Sequence, residues 1–262
     1  MMEWTDQEIE WYQRALKANY YPDNLIDYIA PLLENSSEIL DIGAGIGALS
    51  LRLAKKGFKV TAIDQSKEAL SFLKTIVEED NFSAKIKVKK GKWPEFGRNH
   101  KVNSWPAVIT SYTGPEVIGN AKSIREMDRL ASNYVFLWVP GEKMKHSFNS
   151  DQLFKKLGRE LREYNCSDSK VIEILEELGI NYQKKDFSYQ FAQPFKDFND
   201  AIKFFSNHYN IKGKEEKGIL EIFLKEELKE KSGQLWAENI KNSSLIYWNL
   251  AESRVKNNAS GK

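Results

Sequence analysis

Short apolar runs and helical apolar stripes alternate through most of the chain. A run at about 38 to 42 predicts a first strand, Gly47 to Lys56 a helix closed by Gly57, 58 to 63 a second strand, and Ser66 to Glu79 a helix turning Leu70, Leu73, Ile76 and Val77 inward. Short loops in a βαβα order require a parallel sheet. Further strands are expected at 84–88, 107–111 and 134–139, a helix at 121–130, and helices at about 151–163 and 168–178. Residues 180–191 and 243–250 read as two late strands. Two helices precede the first strand. Thr5-x-x-Glu8 is a capping box opening the first, which sets Trp4, Trp11, Tyr12 and Ala15 on one side; Pro22 opens the second, with Leu25, Ile26, Ile29, Leu32 and Leu33 on its apolar face. Between the late strands, Pro194 to Leu235 is too long for a hairpin loop and carries two helical stripes, Phe198/Ile202/Phe205 and Ile219/Ile222/Phe223.

The first strand runs into Asp41-Ile42-Gly43-Ala44-Gly45-Ile46-Gly47. Glycines at alternate positions, placed before a helix N-terminus, make a bare-backbone turn on which a ligand can lie. One strand-helix-strand unit later, Asp64 ends the second strand where a ribose would offer its two hydroxyls, with Gln65 beside it. Both a dinucleotide and S-adenosylmethionine (SAM) suit such a loop, because Gly43-x-Gly45-x-x-Ala48 also satisfies the loose dinucleotide fingerprint. Asp41 favours SAM. A carboxylate two residues before the first glycine repels a pyrophosphate but attracts an ammonium and a sulfonium.

With an acidic residue before Gly-x-Gly-x-Gly and another at the end of the second strand, the stretch from about Ser37 to Ala69 resembles the class I SAM-dependent methyltransferases. The resemblance implies an α/β, doubly wound, mostly parallel seven-stranded sheet with an antiparallel last strand. On that reading residues 1–35 form an N-terminal helical cap, 36–193 the SAM-binding Rossmann-like domain, 194–235 a helical insertion or lid, 236–255 the last strands and 256–262 a disordered tail. It also implies that the strand ends hold the cofactor, which selects Asp41, Gly43, Ala44, Gly45, Gly47, Asp64, Gln65, Trp93 and Ser111. Two departures stand out. Lys92 occupies the place after the third strand where the family has an acid for the adenine amino group, leaving Trp93 as a stacking surface, or a backbone amide, as the substitute. After the fourth strand, Thr110-Ser111-Tyr112-Thr113-Gly114-Pro115 lacks the Asn/Asp-Pro-Pro-aromatic motif of enzymes that methylate amino groups of bases or glutamine.

Composition narrows the function. Lys+Arg 39 against Asp+Glu 37 leaves a net charge of +2, too even to argue for a nucleic-acid partner. The single cysteine, Cys166, excludes an internal disulfide and fits a reducing cytoplasm; no apolar run approaches the ~20 residues needed to span a bilayer, so no membrane role is expected. Only three histidines, His100, His146 and His208, are present and none has a ligand-spaced partner, so no metal site is expected. Methyl transfer to a sulfonium-activated carbon can proceed by alignment and water exclusion, so no catalytic base is assigned, although His146, His208, Tyr20, Tyr21 and Tyr112 are the candidates. Trp4, Trp11, Tyr12, Tyr112 and His146 are candidate acceptor contacts, with Phe195, Phe198, Phe204, Phe205 and Tyr209 of the insertion as further roof. An aromatic roof suits a small planar or apolar acceptor. The expected function is transfer of a methyl group from SAM to a small molecule; RNA or protein methylation, and SAM binding without turnover, are the alternatives.

Overall fold

The computed structural model describes residues 4–33, 37–141, 147–160 and 167–251. Cys166 and the segment 256–262 lie outside them. Ten strands form: β1 (Glu38–Ile42), β2 (Lys59–Asp64), β3 (Ile86–Lys90), β4 (Trp105–Ser111), β5 (Ala131–Pro140), β6 (Gln183–Gln190), β7 (Gln193–Phe195), β8 (Lys229–Lys231), β9 (Gln234–Ala237) and β10 (Ile240–Asn249). Seven make one sheet in the order β3-β2-β1-β4-β5-β10-β6, in which β10 runs antiparallel to both neighbours. The doubly wound, mostly parallel sheet with an antiparallel last strand is therefore present.

Helices cover both faces, which is why β1, β2 and β4 are buried along nearly their whole length and read as continuous apolar runs. One face packs Ile39, Val60, Ala107 and Phe136 against Leu25, Ile26, Ile29 and Leu53; the other packs Leu40, Ile42, Val108 and Leu137 against Ile124, Met127, Val171 and Leu175. β3 is an edge, and its exposed Lys87, Lys89 and Lys90 keep that edge from pairing with another chain. Winding proceeds outward from β1 to β3, then restarts at β4 on the other side of β1. The carboxyl ends of β1 and β4 thus flank the topological switch point, where ligands of such sheets bind.

Several boundaries differ from the expected ones. β3 starts two residues late, because Phe82 O accepts from both Lys85 N and Ile86 N in the turn before it. β5 begins at Ala131, directly after the helix Ala121–Leu130. The helix expected at 151–163 is Ser150–Lys156, stopped by Gly158 at φ +63°. β10 starts at Ile240 rather than 243, three residues nearer the site. The insertion carries the helices Phe198–Tyr209 and Lys214–Glu227, but it is not wholly helical: β8 and β9 form a hairpin across Ser232-Gly233, both with positive φ, and β9 pairs with β7.

The first helix, Asp6–Ala18, opens as the capping box requires, with Thr5 Oγ1 accepting from Glu8 N at 3.2 Å. It is bonded to the insertion rather than resting on it. Trp11 Nε1 donates to Asp200 Oδ1 at 2.7 Å, Arg14 Nη1 reaches Asp200 Oδ2 at 2.7 Å, and Gln193 Nε2 donates to Trp11 O at 3.1 Å. Asn19 donates to Ala192 O at 2.8 Å and accepts from Ala192 N at 2.7 Å. Trp11 is 1% exposed. These buried polar contacts join two segments about 180 residues apart in sequence into one cap.

Candidate active site

At the end of β1, Gly43 and Gly45 adopt φ +72° and +53°, angles that side chains rarely tolerate. Space forbids a side chain as well: a Cβ on Gly43 would lie 2.3 Å from Thr113 Cγ2, and one on Gly45 would lie 3.0 Å from the Trp4 ring. The loop is held by Gly43 N and Ala44 N, which both donate to Ile63 O at 2.9 Å. Gly47, also left-handed, caps the helix Ala48–Lys55 and turns toward Leu73, outside the cavity wall. Asp64 closes on the loop: its Oδ2 accepts from Gly45 N at 2.9 Å and its Oδ1 from Ser66 N at 2.8 Å. Each carboxylate oxygen keeps a further lone pair for a ligand hydroxyl.

Asp41 is 2% exposed and accepts one side-chain bond, from Ser50 Oγ at 2.6 Å. No cation pairs with it among the described residues. Burial raises its carboxyl to about 7 against the Ser50 bond, and the charge of Asp64 adds to the rise. A carboxylate buried without a counter-ion, beside a bare-backbone loop, is a donor set built for a cationic ligand. The residues present therefore fit SAM: Asp41 would face an ammonium, the N-terminal end of the helix Ala48–Lys55, whose Ala48 and Leu49 line the cavity, a carboxylate, and Asp64 a pair of hydroxyls.

A cavity of about 530 Å³ opens over the carboxyl ends of β1 and β4. Its wall brings together Asp41, Gly43, Ala44, Gly45, Asp64, Gln65, Trp93 and Ser111, all the expected cofactor contacts except Gly47, and it includes Trp4, Trp11, Tyr12 and Tyr112 of the expected acceptor contacts. His146 lies outside the described residues. Trp93 is 4% exposed and packs into the core, yet its Nε1 has no partner there. Lys92 lines the cavity where the family's acid was sought.

The cavity continues into a chamber lined with rings. Tyr21 stacks on Tyr189 with centroids 5.7 Å apart and 11° between planes, and Tyr21 Oη shares a 2.8 Å bond with Ser111 Oγ. Tyr112 Oη bonds to Tyr189 Oη at 2.8 Å and to Ser243 Oγ. Tyr112 itself has φ +51°, an uncommon backbone for a bulky residue and one that over-determined surroundings must hold. Burial pushes the phenols of Tyr21, Tyr112 and Tyr189 upward, so at neutral pH they serve as uncharged hydrogen-bonding groups. His208 stacks on Phe204, and burial together with nearby Lys241 lowers its pKa, leaving a neutral imidazole. Tyr20, a candidate phenol, is 63% exposed and is not part of the wall.

Of the expected roof residues of the insertion, Phe204 lines the wall and Phe195, Phe198, Phe205 and Tyr209 do not; sequence reasoning missed Glu8, Tyr189, Phe191, Gln193 and Lys241 in this wall. One signal was available for Lys241. An antiparallel last strand begins at the edge where the parallel strands end, so its first residues face the site.

Loop, buried acid and sheet order together define the class I SAM-dependent methyltransferase fold. Residues 39–133 match the family model of a methyltransferase domain; SAM is the cofactor of this class. The chain is 48% identical over 50 residues, 19% of its length, to YqeM of Bacillus subtilis (strain 168), provisionally named a methyltransferase, of which the match spans 20%. Among solved structures it is similar to the YcgJ protein from Bacillus subtilis (TM-score 0.53, 16% identity, 87% of this chain and 98% of that one) and to a SAM-dependent methyltransferase from Aquifex aeolicus (TM-score 0.51, 19% identity, 69% and 91%). At those identities the likeness is one of fold.

Among the described residues, no helix is long and apolar enough to cross a membrane.

Proposed function

We propose that this protein transfers a methyl group from SAM to a small, flat acceptor bound in the ring-lined chamber. The observation that carries the reading is a continuous cavity, which runs from the glycine loop and Asp41 into a chamber walled by Tyr21, Tyr112, Tyr189, Phe191 and Phe204. Bound SAM would supply an electrophilic methyl on a sulfonium. Asp41 would face its ammonium, the N-terminal end of the helix Ala48–Lys55 its carboxylate, and Asp64 its ribose hydroxyls. Trp93 would border the adenine with an unpartnered indole N–H.

The chain's own contribution to the chemistry is alignment and exclusion of water. Trp4, Trp11 and Tyr12 roof the cavity from the N-terminal helix, and the Asp200 clamp fixes that helix to the insertion. The phenols stay protonated, so a proton lost by the acceptor leaves through a neutral hydrogen-bond network or through the neutral His208 ring. Size supports a small acceptor over RNA: the chamber is roofed by side chains of the N-terminal segment and the insertion, and the exposed lysines of β3 sit at the opposite sheet edge.

Calorimetry with S-adenosylhomocysteine (SAH), followed by turnover of SAM against a panel of aromatic metabolites, tests the reading. Binding and turnover of a small aromatic acceptor are expected. Absence of SAH binding would overturn it, and binding without turnover of any acceptor would favour a SAM-binding protein that does no chemistry.

A further inference from the structure

Lys241, the second residue of β10, is the chamber's unexplained charge. Its Nζ stands 4.3 Å from the Phe191 ring centroid and 5.1 Å from that of Tyr112, and it lines the same cavity as Asp41. Its ammonium forms no ion pair and no hydrogen bond among the described residues. Most other lysines in contact with an acid lie at the surface, as Lys56 does with Asp27 and Lys156 with Glu226. Lys241 is half-buried, and ring contacts return only part of what its ammonium loses on leaving bulk water, so holding it against two rings without a carboxylate costs the fold stability. A leucine or methionine would pack there more cheaply. Burial lowers Lys241 to about 8, so it still carries its charge at neutral pH.

The neighbouring groups do not neutralise it. Tyr112 and Tyr189 are spent on each other and on Ser243, and His208 is uncharged. Glu8, the acid of the cap that lines the cavity, is raised by burial and hydrogen-bonds Asn207.

We propose that Lys241 anchors the acceptor by pairing with its negative charge, which makes the substrate class a planar aromatic carboxylic acid. This rests on the methyl-transfer reading above. The rings of Phe191, Tyr112 and Phe204 supply flat surfaces for the acceptor's ring, and the ammonium supplies its counter-charge. One ammonium matches one negative charge, and the other lysine of the cavity wall, Lys92, follows β3 at the far edge of the sheet, which favours a carboxylate over a phosphate dianion. Position agrees as well. Three strand steps separate β1 from β10, about 14 Å at the usual spacing, which leaves room for a flat ring between the place of the methyl donor and the ammonium.

Paired probes test this. Binding of 2-naphthoate, 2-naphthamide and 2-naphthyl phosphate is measured by calorimetry with and without SAH, on the wild type, Lys241→Met and Lys241→Arg. Wild type is expected to prefer naphthoate over naphthamide by about tenfold to hundredfold, the range of a charge-assisted bond. Lys241→Met should abolish the preference, Lys241→Arg should keep most of it, and SAH affinity should change less than twofold in both. Equal binding of acid and amide by the wild type, no binding of either, or a preference that survives Lys241→Met overturns the proposal, and tighter binding of the phosphate overturns the choice of carboxylate. Should Lys241→Met fail to fold, the wild-type ratio and the arginine variant still decide. SAH binding is read separately, so a protein that ignores SAH yet discriminates acid from amide would refute the methyl-transfer reading and leave Lys241 standing.

Discussion

Asp41 is the residue whose removal should stabilise the protein while weakening the proposed function. In the folded chain its carboxyl is raised to about 7 by burial, whereas in the unfolded chain it titrates near 4. The folded state therefore binds more protons than the unfolded state between about pH 4 and pH 7, and stability falls as pH rises through that window. Above pH 7 the loss is complete. Three units at 1.36 kcal/mol each make it about 4 kcal/mol; at pH 5 only about 1.5 kcal/mol has accrued. Asp41→Asn keeps the shape and the bond from Ser50 but never ionises. It should raise stability by up to about 4 kcal/mol at pH 8, about 8 °C in Tm for a chain of this size, and by far less at pH 5. Its affinity for SAH should fall by about tenfold to hundredfold, the worth of one charge-assisted contact. In the wild type, ligand binding should draw Asp41 into its ionised form, so SAH affinity rises from pH 6 to pH 8. Thermal denaturation at pH 5 and 8, with calorimetry of SAH, reads all three effects. A variant equally destabilised at both pH values, or one that binds SAH as the wild type does, would refute the assignment of Asp41 as a desolvated acid waiting for a cation.

Asp64→Ala should cost about 1.5 to 3 kcal/mol of SAH affinity and also some stability, because Gly45 N and Ser66 N lose their acceptor; unchanged affinity in calorimetry would remove Asp64 from the site. Gly45→Val places a branched side chain at φ +53° against the Trp4 ring, so it should abolish SAH binding and lower Tm, with retained affinity as the contrary result. Trp11→Phe removes one buried donor to Asp200 and should destabilise by about 1 to 3 kcal/mol in urea denaturation; a smaller change would mean the clamp does not hold the cap. On adding SAH, hydrogen exchange should slow in residues 4–21 and 198–209 together, since one set of buried bonds joins them; protection confined to the glycine loop would separate the cap from ligand binding.

Legibility of this molecule from its sequence tracks the sequence distance of the interactions that build each part. The glycine loop, Asp41 and Asp64 are set by local backbone demands: glycine where φ is positive, an acid at a strand end. Such features survive in a one-dimensional pattern, and so did the order of strands and helices around them. The hairpin β8-β9 was hidden by three-residue and four-residue strands too short to show a period, and by pairing with β7 some 40 residues away. Lys241 was hidden by a boundary error of three residues, because a strand begun at 243 leaves 241 in a loop with no assigned direction. Trp11 was legible as an aromatic on the helix face toward the roof, but its bond to Asp200 spans 189 residues, and nothing near either residue announces the other.

That last contact explains why the cap is made from two distant segments. The carboxyl ends of β1 and β4 are necessarily open, since the switch point exists only because the chain leaves β1 in two directions. Closing it requires elements entering from both sides of the sheet order. The N-terminal helix arrives beside β1 and β2, where Trp4 meets Gly45, and the insertion arrives beside β6 and β10, where Phe204 and His208 meet the chamber. Apolar packing alone would let the two slide, because it is non-directional. Asp200 removes that freedom by accepting from Trp11 and from the backbone N–H of Lys196 and by pairing with Arg14, which fixes the width of the roof to within hydrogen-bond tolerance. A chemistry that depends on alignment more than on an acid or base needs that fixed width, and Asp200, Arg14 and Lys196 supply it from outside the cavity wall by holding Trp11 within it.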